Sequence, residues 1–220
     1  MIKADHYKKT KEFFKSTAIE NEGFYDSKKK KDYYIWQKMV RKQVIKVIKP
    51  LISGKIRKIA DFGCGRGDFI SRLAEKYISI SFTGTDFSEE TLQIARNISK
   101  NINNLEFKEA NLLSLNFKDK SFDISMCINV LLHIHENDLD KALSELARVT
   151  GKYLILEIKN KNDLYNSTIR GKQEFPYSLT TKEFVSENLE KNGFKLKGIK
   201  PLFLFEPISP IIILLFKRVK

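Results

Sequence analysis

Beyond residue 57 the chain alternates between short apolar runs and longer segments whose apolar residues recur every three or four positions. Ile59, Ala60 and Phe62 make the first run, and Phe69, Ile70, Leu73 and Ala74 then take helical spacing. Ile78 to Thr85 alternates as a strand, Glu89 to Asn101 carries Leu92, Ile94 and Ala95 at helical spacing, and Leu105 to Lys108 is a short third strand. A fourth strand spans Ile124 to Val130, a helix Leu139 to Val149, and a fifth strand Tyr153 to Ile158. Strand and helix in regular succession call for a parallel sheet, because a parallel crossover needs a connection of helical length. Ser178 to Asn192 reads as a further helix, opened by Thr180 or Thr181 with Glu183 close behind and ended by Gly193. Phe194 to Ile199 and Ile211 to Lys217 are the last strands, with Pro201, Pro207 and Pro210 in the connection, where a missing N–H does no harm.

The first 57 residues carry a different pattern. Tyr7 to Thr17 is one candidate helix; Tyr33 to Ile48 is another, with Trp36, Val40, Val44 and Val47 at helical spacing and Pro50 to end it. Between them, Glu22 to Lys31 holds Gly23, Phe24, Tyr25 and four successive lysines, Lys28 to Lys31, and reads as a loop. A chain of 220 residues supports one sizeable α/β core, so residues 1–220 are expected to form a single domain, with 1–57 as a helical extension and 58–220 as the core. A second aperiodic stretch, Lys159 to Tyr177, carries Tyr165, Arg170, Phe175 and Tyr177. Loops on a rigid scaffold tend to carry specificity, which makes this stretch a candidate for recognising a substrate.

Chemistry concentrates where the first strand breaks into Gly63, Cys64, Gly65, Arg66 and Gly67, just after Asp61. Glycines accept positive φ and let a ligand approach the bare backbone, and the helix that follows aims unpaired N–H groups at it. The spacing excludes two common ligands. A dinucleotide fingerprint needs G-x-G-x-x-G, but Asp68 stands where the third glycine belongs; a P-loop needs a closing Lys followed by Ser or Thr, and none is present. Nineteen residues beyond Gly67, Asp86 ends the second strand, where a carboxylate can accept both hydroxyls of a ribose.

Asp61, Gly63, Gly65 and Gly67, followed in order by Asp86, by Glu109 to Leu112 and by Ser121 to Val130, resemble the motifs of class I S-adenosylmethionine (SAM) dependent methyltransferases from residue 58 to the C-terminus. The resemblance implies a Rossmann-like sheet of seven mostly parallel strands, with helices on both faces, a closing antiparallel pair and an N-terminal helical extension. It also implies a cofactor, SAM, released as S-adenosylhomocysteine (SAH), held by Asp61, Gly63, Cys64, Gly65, Gly67, Asp86, Phe87, Asn111, Leu112, Cys127 and Ile128. In the family the position of Asn111 contacts the adenine amino group and more often holds Asp; Asn keeps the carbonyl acceptor. His133, just past the fourth strand, is placed either to take a proton from a hydroxyl acceptor or simply to pack or cap a turn. Tyr25, Asn129, Tyr165, Arg170 and Tyr177 are the candidates for acceptor binding, Phe24 or Tyr25 through an N-terminal lid. His6 could belong to that lid, and His135 reads as a surface residue. The Pro-rich motif of exocyclic-amine methylases is missing after the fourth strand, and Cys127 sits in an apolar run that suits core packing. Asn129 and Leu132 stand where some quinone-precursor enzymes place metal-binding carboxylates, so no metal is expected.

Charge and cysteines add bounds. The net charge of +13 is uneven: residues 1–60 carry 17 Lys and Arg against 6 Asp and Glu, residues 61–194 carry 17 against 20, and the remainder 6 against 1. A basic edge attracts anionic partners, which keeps a methyltransferase of RNA or protein as an alternative to one acting on a small molecule; a solvated lysine-rich surface explains it equally. A SAM-binding module without catalysis is the third alternative. Two cysteines suit neither a disulfide framework nor a zinc cluster, which points to a reducing compartment. No apolar run approaches the length of a spanning helix and residues 1–10 lack a signal-peptide core, so a cytoplasmic location is expected.

Overall fold

A computed structural model describes residues 5–12, 28–52, 54–161, 178–202 and 209–219. Seven strands form one sheet: β1 (Lys58–Phe62), β2 (Ser81–Asp86), β3 (Leu105–Glu109), β4 (Phe122–Cys127), β5 (Thr150–Lys159), β6 (Phe194–Pro201) and β7 (Ile211–Arg218). Their order is β3-β2-β1-β4-β5-β7-β6, parallel from β3 to β5 and antiparallel at β5·β7 and β7·β6. Helices are α1 (5–12), α2 (Lys28–Ile48), α3 (Asp68–Lys76), α4 (Glu89–Ile98), α5 (Leu139–Val149) and α6 (Lys182–Lys191). The chain leaves β1 toward β2 on one side and reaches β4 on the other, so the strand order reverses at β1, the place where open α/β sheets bind ligands.

Two apolar layers flank the sheet. One joins Val40, Val44 and Ile48 of α2, Ile70 of α3 and Leu92 of α4 to Ile59, Phe82, Met126 and Ile155; the other joins α5 and α6 to Ala60, Phe62, Leu154 and Leu156. Strand residues alternate between these layers. Local chemistry sets the ends of the helices. Ser88 caps α4 by accepting from the Thr91 N–H at 3.2 Å, and Thr181 caps α6 through the Phe184 N–H at 3.1 Å. At the C-terminus of α5, Arg218 donates to the carbonyls of Ala147 and Thr150 and lies 4.4 Å from the Phe194 ring centroid.

Several boundaries differ from the sequence reading. Helix α2 begins at Lys28, so the four lysines form its first turn rather than a loop; lysine is a good helix former. Strand β2 begins at Ser81, not Ile78. The Asn104 amide donates to the carbonyls of Ala74, Tyr77 and Ile80 and holds the preceding segment as a turn, leaving Ile78 82% exposed. Helix α4 stops at Ile98, three residues early, and β4 stops at Cys127 because Asn129 turns the chain with φ 61°. Strand β5 starts three residues early, at Thr150. Pro201 is the last residue of β6, an edge strand whose end tolerates the missing donor. Of the first candidate helix, Tyr7 to Thr17, residues 7–12 are helical within α1, which starts two residues earlier, and 13–17 lie outside the described residues.

Candidate functional site

The C-terminal ends of β1, β2, β3 and β4 gather most of the predicted residues on one rim. Gly63, Gly65 and Gly67 all take left-handed φ, at 80°, 55° and 75°. Each serves a different need. A Cβ on Gly63 would stand 2.2 Å from Val130 Cγ2, and one on Gly67 would stand 2.7 Å from Phe107 Cζ; a Cβ on Gly65 would meet nothing within 4 Å. Gly63 and Gly67 are therefore packed against protein, whereas Gly65 borders open space. Gly67 also heads α3 without any side-chain cap, so the first N–H groups of that helix are left for other acceptors.

Asp86 holds the loop from the neighbouring strand. Its Oδ2 accepts from the Gly65 N–H at 3.0 Å and its Oδ1 from the Ser88 N–H at 3.1 Å. Burial pushes this carboxyl up, and the Ser88 and Gly65 N–H groups pull it back. The Gly63 and Cys64 N–H groups donate to the Thr85 carbonyl at 2.7 and 2.8 Å, which locks the turn to the end of β2. Asp61 is 5% exposed and is pushed up to about 7 by burial; Arg41 opposes the shift and Asp86 adds to it. Among the described residues, no hydrogen-bond donor or salt-bridge partner meets the Asp61 carboxyl.

The remaining cofactor candidates are spread along the same rim. Phe87, partly buried, follows Asp86; Asn111 is exposed after β3, where its Oδ1 accepts from the Leu113 N–H at 2.9 Å. That turn uses one lone pair of the amide oxygen and leaves the other for a ligand. Leu112 is buried in the core layer under α5. Cys64 is partly buried, with Sγ 3.5 Å from the Gly65 carbonyl, while Cys127 is fully buried, its thiol pushed up by burial and then by Asp61 and Glu157. Ile128 and Asn129 are half-buried at the end of β4. Tyr25, Tyr165, Arg170 and Tyr177, with Phe24, lie outside the described residues.

His133 sits in a single helical turn, Leu131–His133, and is 7% exposed. Burial, then Lys159 and His6, drive its pKa down to about 3, so the ring is neutral at ordinary pH and weakly basic. Helix α1 covers this turn, a set of contacts the sequence does not reveal. His6 donates from Nε2 to the His133 carbonyl at 2.9 Å, Tyr7 donates to Asp138 Oδ2 at 2.7 Å, and the His135 N–H donates to the Tyr7 hydroxyl at 3.2 Å. His6 is 4% exposed, and its ring stacks edge-on against Tyr7 and against His135, each with centroids 5.3 Å apart. His135 is thus half-buried under α1 rather than a free surface residue. No cluster among the described residues could hold a metal ion.

Residues 59–152 match the family model described as a methyltransferase domain. The chain is 32% identical over 206 residues to an uncharacterized protein of Methanocaldococcus jannaschii, across 87% of this chain and 83% of that one. It is 34% identical over 110 residues to the 2-phytyl-1,4-naphtoquinone methyltransferase of Nostoc, a match spanning 47% of each protein. The fold is similar to that of magnesium protoporphyrin IX methyltransferase from Synechocystis, crystallised with bound SAH, at a TM-score of 0.79 and 20% identity over 96% of this chain and 99% of that one. Open backbone at Gly65, an uncapped α3 and a carboxylate at the end of β2 stand on the rim of a methyltransferase domain, residues 59–152, and the chain has the Rossmann-like fold of SAM-dependent methyltransferases.

Proposed function

We propose that the protein transfers the methyl group of SAM to a small-molecule acceptor, at oxygen, nitrogen or carbon, by direct displacement. One observation carries the cofactor half of this reading: the only glycine of the loop whose Cβ would meet open space, Gly65, donates its N–H to the carboxylate expected to hold a ribose, Asp86. Bound SAM supplies a methyl carbon already activated by its sulfonium. The protein's task is to hold, orient and exclude water. In this reading Asp86 and Phe87 hold the ribose side, Asn111 and Leu112 the adenine, and Gly63, Cys64, Gly65 and Gly67 the approach of the backbone. Asp61, buried without a cation in contact among the described residues, suits a positively charged amino group, with Cys127 and Ile128 as the wall beside it.

The acceptor half rests on the rim beyond β4 and on likeness to enzymes of quinones and porphyrins. Asn129 and His133 stand there, with Tyr25, Tyr165, Arg170 and Tyr177 assigned to the same task from sequence. A ring with a pKa near 3 is a weak base, so His133 suits positioning an acceptor more than deprotonating it. The four-lysine turn of α2 keeps a second reading in view, a nucleic acid or acidic protein as acceptor. Incubating the protein with methyl-labelled SAM and, in parallel, phenols, amines, quinols, bulk RNA and acidic protein tests both. Label transfer to a small molecule, unaffected by salt from 50 to 300 mM, supports the proposal; transfer to RNA or protein that collapses over that range and requires Lys28 to Lys31 overturns it.

A further inference from the structure

On β5, between the core residues Leu156 and Ile158, stands Glu157, 3% exposed. Its Oε1 accepts from Lys159 Nζ at 2.9 Å, and its Oε2, also buried, meets no hydrogen-bond donor among the described residues. Half-satisfied buried carboxylates are rare, because desolvation is costly and an unpaired oxygen recovers none of it. The fold does not require this one. The run Tyr153 to Ile158 within the strand, Tyr-Leu-Ile-Leu-Glu-Ile, is otherwise apolar, and the cross-strand neighbour of Glu157 on β7 is Ile213.

Its position relates it to the cofactor site. Asp61 on β1 is in register with Met126 on β4, which is in register with Ile155 on β5. Glu157 lies two residues beyond Ile155 and, by strand alternation, on the same face as Asp61, nearer the C-terminal rim. Two strand spacings across and two residues along put the two backbones roughly 12 Å apart. Both carboxylates act on the thiol of Cys127, which lies on the strand between them.

We propose that Glu157 is a specificity-determining residue for the methyl acceptor: Oε2 receives a hydrogen-bond donor of the acceptor, an ammonium or a hydroxyl, and repels an anionic head group at that position. This rests on the methyltransferase reading, and it narrows the acceptor to molecules with a donor group near the atom that takes the methyl. The position selects by charge and donor count, because a buried carboxylate offers only lone pairs. Lys159, 18% exposed at its side chain, holds Oε1 and fixes the direction of the carboxylate.

The test uses the full chain saturated with SAH and three probes, benzylamine, phenol and benzoate, with binding read by saturation-transfer NMR and calorimetry. Wild type should bind benzylamine and phenol at least 10-fold more tightly than benzoate. Glu157→Gln should bring benzylamine and benzoate to within about 3-fold of each other, and Glu157→Leu should lose phenol as well. SAH binding with no preference among probes, or with an order that both variants preserve, overturns the assignment of Glu157 alone. So does a Glu157→Leu variant that keeps the wild-type order and melts lower, since the carboxylate is then structural. Failure of wild type to bind SAH overturns the methyltransferase reading itself, and this inference with it.

Discussion

Alanine at Gly63 and alanine at Gly65 should damage different properties, although the two residues are separated by a single position. Both glycines hold left-handed φ, a region that costs an L-residue roughly 1–2 kcal/mol. At Gly65 that is the whole structural effect, because the added Cβ meets nothing within 4 Å. For a domain of this size it corresponds to a loss of roughly 2–8 °C in melting temperature. At Gly63 the Cβ would also stand 2.2 Å from Val130 Cγ2, and overpacking of that kind adds roughly 1–3 kcal/mol, about doubling the loss. Affinity should follow another order. The space that Gly65 borders is where the cofactor backbone approach is assigned, so Gly65→Ala should weaken SAH binding at least 10-fold, about 1.4 kcal/mol, in a protein that remains folded. Thermal melts by circular dichroism give the stability arm and calorimetric titration with SAH the affinity arm. A folded Gly65→Ala that binds SAH within twofold of wild type would refute the placement of the cofactor, and a Gly63→Ala as stable as Gly65→Ala would refute the packing argument.

Other outcomes follow from the buried ionisable groups and from α1. Asp61 is pushed up to about 7 from an ordinary value near 3.8, so between these pH values the folded state binds a proton that the unfolded state has released. Stability of the cofactor-free protein should therefore fall as pH rises from 4 to 7, by roughly 2–4 kcal/mol attributable to this group, and Asp61→Asn should flatten that fall in pH-dependent denaturant melts. His133 has the opposite sign: its folded pKa lies near 3 against 6.5, so its contribution is present above 6.5 and is lost as pH falls toward 3, and its imidazole signals in NMR should stay those of a neutral ring at pH 5. Tyr7→Phe removes the hydrogen bond to Asp138 and the acceptor for the His135 N–H, which should cost about 1–3 kcal/mol and speed amide exchange in residues 5–12.

What the sequence revealed follows from how local each signal is. The loop from Asp61 to Gly67 was legible because left-handed φ and close approach are demands on single residues, and Asp86 because it ends a strand at a set distance from them. The parallel sheet followed from the alternation of strand and helix, and the helices on both faces and the closing antiparallel pair from the family resemblance. The start of β2 was misread because Ile78 is apolar yet exposed, and what holds it out of the strand is Asn104, 26 residues away. Docking of α1 was invisible for the same reason on a larger scale: His6 and Tyr7 meet His133 and Asp138 across 127 and 131 residues. Glu157 left one trace, a carboxylate inside an apolar run, but an oxygen with no donor among the described residues appears only once Lys159 and β7 are in place. Asn111 shows the converse, a motif position whose side chain also serves the local turn.

The central claim is that the glycine loop and Asp86 bind SAM rather than a dinucleotide, and calorimetric titration of the full chain with SAM, SAH and NADH, beside Asp86→Ala, tests it most directly. One-to-one micromolar binding of SAM and SAH, weakened at least 10-fold in the variant and absent for NADH, is the predicted result. Binding of NADH in preference to SAM, or SAM affinity indifferent to the loss of the Asp86 carboxylate, would contradict it.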